Sequence, residues 1–102
     1  MTPHGNSYQN DRPHHVYVIY DKEVDDVYKY GISHDSIEID GLSARLRDQL
    51  DLYNRIAGWS RFYAEILHQN IEGRLKARQI EQSLIRTYKE VQGQRPKGNL
   101  AD

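Results

Sequence analysis

Several common features are missing from this sequence of 102 residues. It contains no cysteine, three prolines, and a single residue each of methionine, tryptophan and phenylalanine. Without cysteine there is no disulfide framework and no thiolate chemistry, so folding does not depend on an oxidising compartment. No apolar run approaches the roughly 18 residues of a membrane helix, and no signal-peptide pattern precedes the first predicted strand. Glycine-rich phosphate-binding loops and the Ser-His-Asp order of serine hydrolases are absent as well.

Tyrosine stands out among the residues that are present. Eight tyrosines supply much of the large apolar area, because a tyrosine ring packs in a core while its hydroxyl finds water or a partner. Hydrophobic residues at 37% and charged residues at 28% indicate a globular chain with much exposed surface. The length is sufficient for one domain with a single modest core.

The net charge of −1 hides an uneven distribution. Residues 1–40 contain three basic and eight acidic residues, whereas residues 41–102 contain eleven basic and seven acidic residues. A basic second half is what a phosphate-binding face requires, since cations near a nucleic-acid backbone gain free energy by counterion release. The same excess of positive charge is also typical of ordinary solvated surface.

The order of apolar and polar residues predicts an α+β domain. Residues 1–13 show no periodicity and are interpreted as a linker, and the domain is expected to span residues 14–102. Two tyrosine-rich strands flank an acidic turn that is expected to face solvent, and a third, alternating strand lies between two predicted helices. The predicted elements are strands 15–20, 27–33 and 61–68 and helices 42–57 and 72–92. We therefore expect a small three-stranded antiparallel sheet flanked by helices, in the order β-β-α-β-α.

Both predicted helices carry an apolar stripe, and a glycine follows each of them as a stop signal. The first stripe contains Leu42, Leu46, Leu50, Tyr53 and Ala57, and the second contains Ala77, Ile80, Leu84, Tyr88 and Val91. Arg45 and Glu81 border these stripes, so each would lie near the edge of a face that packs on the sheet.

The residues that point to chemistry form an ordered set spread along the chain. The first strand carries His15-Val16-Tyr17, and the second carries Lys29-Tyr30-Gly31-Ile32-Ser33. Arg45 follows early in the first helix, Glu81 lies within Glu-x-x-Leu-Ile of the second, and Asn99 comes near the end. This set resembles the GIY-YIG nucleases, also called URI-like, over nearly all of the chain from residue 15 to residue 99.

The resemblance implies a metal-dependent endonuclease and gives each residue a role. Tyr17 and Tyr30 would be catalytic tyrosines, with Tyr17 orienting or deprotonating the attacking water if a nearby cation lowers its pKa. Arg45 would bind the phosphate oxygens as a planar cation. Glu81 would hold one divalent ion, Mg²⁺ or Mn²⁺. The residues implied to contact nucleic acid are Lys29, Arg47, Arg78 and Asn99.

The sequence departs from the family pattern at three positions. His15 replaces the first motif glycine, and Lys29 replaces the second motif tyrosine. Gln49 stands where a histidine or tyrosine often follows the arginine, and an amide can donate and accept hydrogen bonds but cannot act as a base at neutral pH. These departures leave open an alternative, a degenerate domain that binds nucleic acid without cutting it. A structural or protein-interaction domain is a third possibility, since each of these residues taken alone is also typical of packing aromatics, solvated charges or turns.

Within the family, the chain most resembles nuclease domains at the C-termini of bacterial polymorphic toxins. That resemblance implies delivery as part of a larger secreted protein, action in the target-cell cytoplasm, and a cognate immunity protein. It favours DNA over RNA, which the residues themselves do not separate, and a monomer without a membrane partner. The immunity protein would dock on the acidic turn or the basic helix face. His14, His15, His34 and His68 lack zinc-ligand spacing and are interpreted as surface or edge residues.

Overall fold

The computed structural model describes residues 12–99 and confirms the predicted order of elements. The elements are β1 (Pro13–Asp21), β2 (Asp26–Ser33), α1 (Ala44–Ala57), β3 (Phe62–Glu72) and α2 (Arg74–Gln92). The third strand continues four residues beyond its predicted end. The proposed linker lies mostly outside the described residues, and Pro13 already belongs to β1.

The three strands form one antiparallel sheet in the order β2-β1-β3. β1 is the central strand, and six consecutive side chains from His14 to Ile19 are buried. Such a run is expected where both faces of a strand are covered. Tyr17 and Ile19 pack with Leu46 of α1, whereas Val16 packs with Ala77 of α2. Because successive side chains of a strand point to opposite faces, α1 and α2 lie on opposite sides of the sheet.

The hairpin between β1 and β2 differs in one respect from its sequence-based interpretation. Acidic side chains in the turn were expected to face solvent, but Asp21 is only 4% exposed. Arg61, immediately before β3, donates hydrogen bonds from Nε and Nη2 to the two carboxylate oxygens of Asp21, both at 2.8 Å. Arg61 also pairs with the exposed Glu23 at 2.9 Å. The expectation is wrong for Asp21 because an arginine distant in sequence compensates its burial.

Capping interactions set the helix ends. Ser43 is the N-cap of α1, where its hydroxyl accepts a hydrogen bond from the Leu46 amide at 3.3 Å. Gly58 ends α1 in the left-handed conformation, with φ of 82°, as glycine does without a steric penalty. In α2 the apolar stripe is partly misassigned, since Val91 is 75% exposed and Ile85 is buried instead. Neither described helix is long and apolar enough to cross a membrane.

Candidate active site

An open cavity of about 310 Å³ lies where the end of β2 meets the N-terminal part of α1 and the first residue of α2. Its lining is mostly polar and cationic. Its polar lining includes His14, Tyr17, Lys29, Arg45, Gln49 and Arg74. Three of the sequence-predicted site residues, Tyr17, Lys29 and Arg45, therefore share one cavity although they come from three different elements.

Tyr17 is held in a defined orientation at this cavity. Its hydroxyl donates a hydrogen bond to Oε1 of Gln49 at 3.2 Å, and Nε2 of Gln49 donates to the Tyr53 hydroxyl at 3.2 Å. Burial, followed by the influence of Tyr53 and Glu81, raises the pKa of Tyr17 to about 12. Arg45 acts in the opposite direction but is outweighed. Deprotonation of the water by Tyr17 depended on a pKa lowered by a nearby cation, and that condition is not met, so Tyr17 is protonated at neutral pH.

Gly31 provides the space that the Tyr17 ring occupies. The two residues are opposite each other in the β1–β2 register. A Cβ atom added to Gly31 would lie 2.3 Å from both Cζ and the hydroxyl oxygen of Tyr17. No side chain fits at that distance, so the motif glycine is explained by the position of the tyrosine on the neighbouring strand.

Three cations line the cavity without an ion pair to a carboxylate among the described residues. Within residues 12–99, no salt bridge joins the side chains of Lys29, Arg45 or Arg74 to a carboxylate. Burial, aided by the charge of Arg45 and opposed by that of Glu81, lowers the pKa of Lys29. A group of uncompensated cations in a partly buried place is costly unless an anion binds there.

The position of Arg45 is fixed through its main chain. The Arg45 amide donates to Oδ2 of Asp35 at 3.0 Å, and the hydroxyl of Ser33 hydrogen-bonds the other oxygen of the same carboxylate. Asp35 thereby connects the end of β2 to the first turn of α1. The serine of the second motif thus helps to set where the arginine helix begins.

Glu81 lies on α2 and is half-buried. Burial raises its pKa, while a hydrogen bond from Gln82 and the charges of Arg78, Lys29 and Arg74 oppose that rise. Glu81 does not line the cavity, but its charge influences both Tyr17 and Lys29. Among residues 12–99, no group of three or more histidine, aspartate or glutamate side chains is arranged to hold a metal ion.

Four other predicted site residues lie outside the cavity. The side-chain amide of Asn99 accepts a hydrogen bond from the Tyr30 amide and donates one to the Tyr30 carbonyl, at 2.9 and 2.8 Å, and so covers the free edge of β2. Tyr30 is paired with Val18, whose neighbour Tyr17 points to the other face. Arg47 forms ion pairs with Glu38 and Asp40 at 2.7 and 2.8 Å. Arg78 lines a separate, more open depression beside Leu75, Gln82 and Arg86. Their proposed functional roles stay predictions.

Two residues of the cavity were missed by sequence reasoning. Arg74 has no motif around it, and only the docking of α2 brings its first residue to the cavity. His14 was interpreted as a surface or edge residue together with His15, and that interpretation is wrong, because these residues are 1% and 4% exposed. A strand beginning at Pro13 rather than at residue 15 would have placed both histidines inside the central strand.

Comparison with known proteins gives one match. A family model described as URI fold toxin 2, Tox-URI2, matches residues 7–93. The matched range includes Tyr17, Lys29, Arg45 and Glu81 and ends before Asn99. No curated protein and no solved structure matches the chain.

Proposed function

Because the chain belongs to the URI fold toxin 2 family, we propose that it is a metal-dependent endonuclease of the GIY-YIG type that hydrolyses phosphodiester bonds of nucleic acid. One observation carries the proposal. Lys29, Arg45 and Arg74 converge on one cavity beside Tyr17, with no salt bridge to a carboxylate in the described part of the chain. A phosphodiester is an anion that such a group of cations would bind.

The residues divide the work of hydrolysis between them. Arg45 presents a planar cation to two phosphate oxygens and opposes the negative charge that grows in the transition state. Lys29 and Arg74 add positive charge around the same phosphate. The Tyr17 hydroxyl donates its hydrogen bond to Oε1 of Gln49, so a lone pair on its oxygen is free to accept a hydrogen bond from the attacking water. In this role Tyr17 orients the water without deprotonating it.

The donor set suits a metal that binds together with substrate. Mg²⁺ is commonly held by one or two carboxylates, several waters and substrate phosphates. Glu81 would supply one carboxylate. The positive charges of Arg78, Lys29 and Arg74 act on Glu81, so they should weaken metal binding to the free protein. A bound phosphate would offset these charges and favour the metal. Bound there, Mg²⁺ or Mn²⁺ would polarise the phosphate and stabilise the leaving oxygen. We expect calorimetry to detect little Mg²⁺ binding to the free protein and more in the presence of a non-cleavable oligonucleotide.

A cleavage assay tests the proposed activity. Supercoiled plasmid is incubated with the folded protein and Mg²⁺, and parallel reactions contain EDTA or use RNA in place of DNA. We expect cleavage of DNA with Mg²⁺ and none with EDTA. Intact DNA and intact RNA in every reaction would refute the proposed nuclease activity.

The metal role of Glu81 has its own test. Glu81→Gln keeps the size of the side chain but removes the charge, so cleavage should fall by about 100-fold or more. Glu90→Gln is the matched control, because Glu90 is exposed on the same helix and its substitution should leave cleavage unchanged. Undiminished cleavage by the Glu81 variant would show that another group holds the metal.

The alternative function is that of a nucleic-acid-binding domain without nuclease activity, and the properties of residues 17 and 29 favour it. Tyr17 is protonated at neutral pH, with a pKa of about 12, and Lys29 occupies the place of the second motif tyrosine. A non-cleaving domain would bind a labelled oligonucleotide in a salt-dependent manner and leave it intact with every divalent ion. The same reactions that test cleavage therefore separate the two functions.

We also propose that the activity serves as a toxin against other cells, since the family is one of toxins. The chain would be delivered as part of a larger protein, act in the target-cell cytoplasm as a monomer, and be blocked by a cognate immunity protein. Production in a bacterial cytoplasm should arrest growth, and Arg45→Ala should relieve the arrest. Normal growth with a high level of folded wild-type protein would contradict this biological role.

A further inference from the structure

A row of mostly cationic side chains on α2 leads away from the candidate active site. Its members are four residues apart, and side chains at that spacing are neighbours on one face of a helix. We call this row the α2 ridge, and it consists of Arg74, Arg78, Gln82 and Arg86. Arg74 lines the active-site cavity, so the ridge begins at the cavity. From there to Arg86 the helix rises about 18 Å, at about 1.5 Å per residue.

The charge of the α2 ridge is not used in ion pairs. None of its three arginines forms a salt bridge within residues 12–99. Acidic residues are near in sequence, since Glu81 follows Arg78 by three positions and Glu90 follows Arg86 by four, yet neither carboxylate is within salt-bridge distance of an arginine. Positive charge that the fold leaves unpaired is available to an anionic ligand.

The outer part of the ridge lines an open depression of about 270 Å³ that is separate from the active-site cavity. The lining side chains are Leu75, Arg78, Gln79, Gln82 and Arg86. Two guanidinium groups and two amides therefore surround Leu75, which is 51% exposed. Arginine and amide side chains donate hydrogen bonds to phosphate oxygens, and an exposed leucine offers an apolar surface to a sugar ring. The depression suits the sugar-phosphate backbone of a nucleic acid.

The ridge and the cavity also share an electrostatic neighbour. Arg78, Lys29 and Arg74 all oppose the rise that burial causes in the pKa of Glu81. The cations of the cavity and the nearer cations of the ridge therefore act on the same carboxylate. A strand with one phosphate in the cavity can continue along the ridge, whose length corresponds to roughly five nucleotides at about 3.4 Å each.

We propose that the α2 ridge is a second binding site for the nucleic-acid substrate, in which Arg78 and Arg86 hold backbone phosphates beside the one that is cut. This inference rests on the proposed function. The sequence resemblance implies a contact for Arg78 alone, and the structure adds Arg86, Gln82 and Leu75. Backbone contacts position a strand without reading its bases. They are the same before and during reaction, so they lower KM and leave kcat unchanged.

The experiment compares two double variants that each remove two positive charges. The ridge variant is Arg78→Gln with Arg86→Gln, and the control is Arg55→Gln with Lys76→Gln. Arg55 is exposed on α1, and the exposed Lys76 lines a different depression beside His68. Fluorescence anisotropy measures binding of a labelled, non-cleavable DNA oligonucleotide over a range of salt concentrations.

We expect the ridge variant to lose about 10- to 100-fold in affinity at about 0.1 M salt. The slope of log affinity against log salt should become shallower by about two, or about one for each arginine. The control should stay close to wild type. Equal losses for both double variants would overturn the proposal, because net charge alone would then explain binding. Each single ridge variant, with a slope change of about one, gives the same test if the double variant folds poorly.

Cleavage kinetics give a second readout. The ridge variant should raise KM by about the factor lost in affinity and keep kcat, whereas Arg45→Ala should lower kcat. Unchanged affinity, salt slope and KM in the ridge variant would overturn the proposal and favour an acidic protein surface as the occupant of the ridge. If wild type neither binds nor cuts nucleic acid, the proposed function itself fails, which is a different result from wild-type binding that survives loss of the ridge.

Discussion

The hairpin turn and the cavity differ in whether their cationic side chains form salt bridges with carboxylates. At the turn, Arg61 is paired with both oxygens of the buried Asp21 and with Glu23. At the cavity, Arg45 and Arg74 have no salt bridge to a carboxylate within residues 12–99. A cation that is paired with a buried carboxylate stabilises the fold, whereas a cation without such a pair can attract an anionic ligand. The contrast predicts a structural role for Arg61 and a functional role for Arg45.

The largest expected effect comes from substituting one arginine of each kind. Arg45→Ala should slow cleavage by about 100- to 1,000-fold, because a preorganised cation at the phosphate is lost, while thermal stability changes little. Arg61→Ala should lower the melting temperature, because the buried carboxylate of Asp21 is left without a cationic partner, while cleavage per folded molecule is retained. Cleavage assays and calorimetry on both variants measure the two effects.

Arg55→Ala is the control for that pair of variants, since Arg55 is exposed in the last turn of α1. It should change neither property. If Arg55→Ala and Arg45→Ala slow cleavage equally, general positive charge on α1 is responsible and the distinction between the two regions disappears.

A glycine substitution tests how close packing fixes the position of Tyr17 in the cavity. Gly31→Ala places a methyl group 2.3 Å from the Tyr17 ring, so the ring must move and the hydrogen bond to Gln49 is disturbed. We expect a loss of about 1–3 kcal/mol in the free energy of unfolding and slower cleavage. Gly58→Ala, whose added Cβ would meet nothing within 4 Å, tests conformational strain alone. It should cost stability without slowing cleavage, and equal cleavage losses for both would refute the steric explanation.

Stability should respond to acid in two separate pH ranges, one set by His15 and the other by Asp21. Burial lowers the pKa of His15 from its ordinary 6.5, so below about pH 6.5 the unfolded chain binds more protons and stability falls. Hydrogen bonds from Arg61 lower the pKa of Asp21 below 3.8. The contribution of Asp21 is complete above that value and is lost as the pH falls through the lowered pKa.

Urea unfolding between pH 8 and pH 3 measures both ranges as differences between variants. His15→Gln should remove the loss that begins near pH 6.5, and Asp21→Asn should remove the loss at lower pH. If the pH dependence of His15→Gln is the same as that of wild type, the buried neutral histidine does not contribute.

The smallest effect is expected at Arg47. Its guanidinium pairs with the exposed Glu38 and Asp40, and exposed ion pairs contribute little to stability. Arg47→Ala should therefore change both stability and cleavage only slightly. A large loss of oligonucleotide affinity would instead support the nucleic-acid contact that the sequence resemblance implies, and would place Arg47 with the functional arginines.

Sequence reasoning succeeded where the signal is local. The apolar spacing and the glycines at positions 58 and 93 located both helices, because capping and periodicity depend on residues a few positions apart. The β1–β2 hairpin followed from two β-branched and aromatic runs around an acidic turn. The same reasoning missed the extension of β3 through Glu72 and the exposure of Val91, because strand pairing and helix docking decide where those elements stop contacting the core.

The candidate site was predicted only in part, because motif order identifies some of its residues and tertiary contacts bring in the others. Tyr17, Lys29 and Arg45 were found through motif order, and the structure places them on one cavity. Arg74 could not be found, since nothing in its neighbours distinguishes it from other helix arginines. Asn99 was found as a motif residue, but its hydrogen bonds to the Tyr30 backbone depend on where the last described loop returns to the sheet.

The sequence by itself determined the order β-β-α-β-α, the helix boundaries to within a few residues, and membership of a URI fold toxin family. Only the tertiary structure decided which charges are neutralised, because Arg61 and Asp21 are 40 positions apart and their pairing depends on the β1–β3 register. It also decided that His14 and His15 are buried and that the pKa of Tyr17 is raised. Burial and pKa are set by atoms brought together from distant parts of the chain, and no local pattern encodes them.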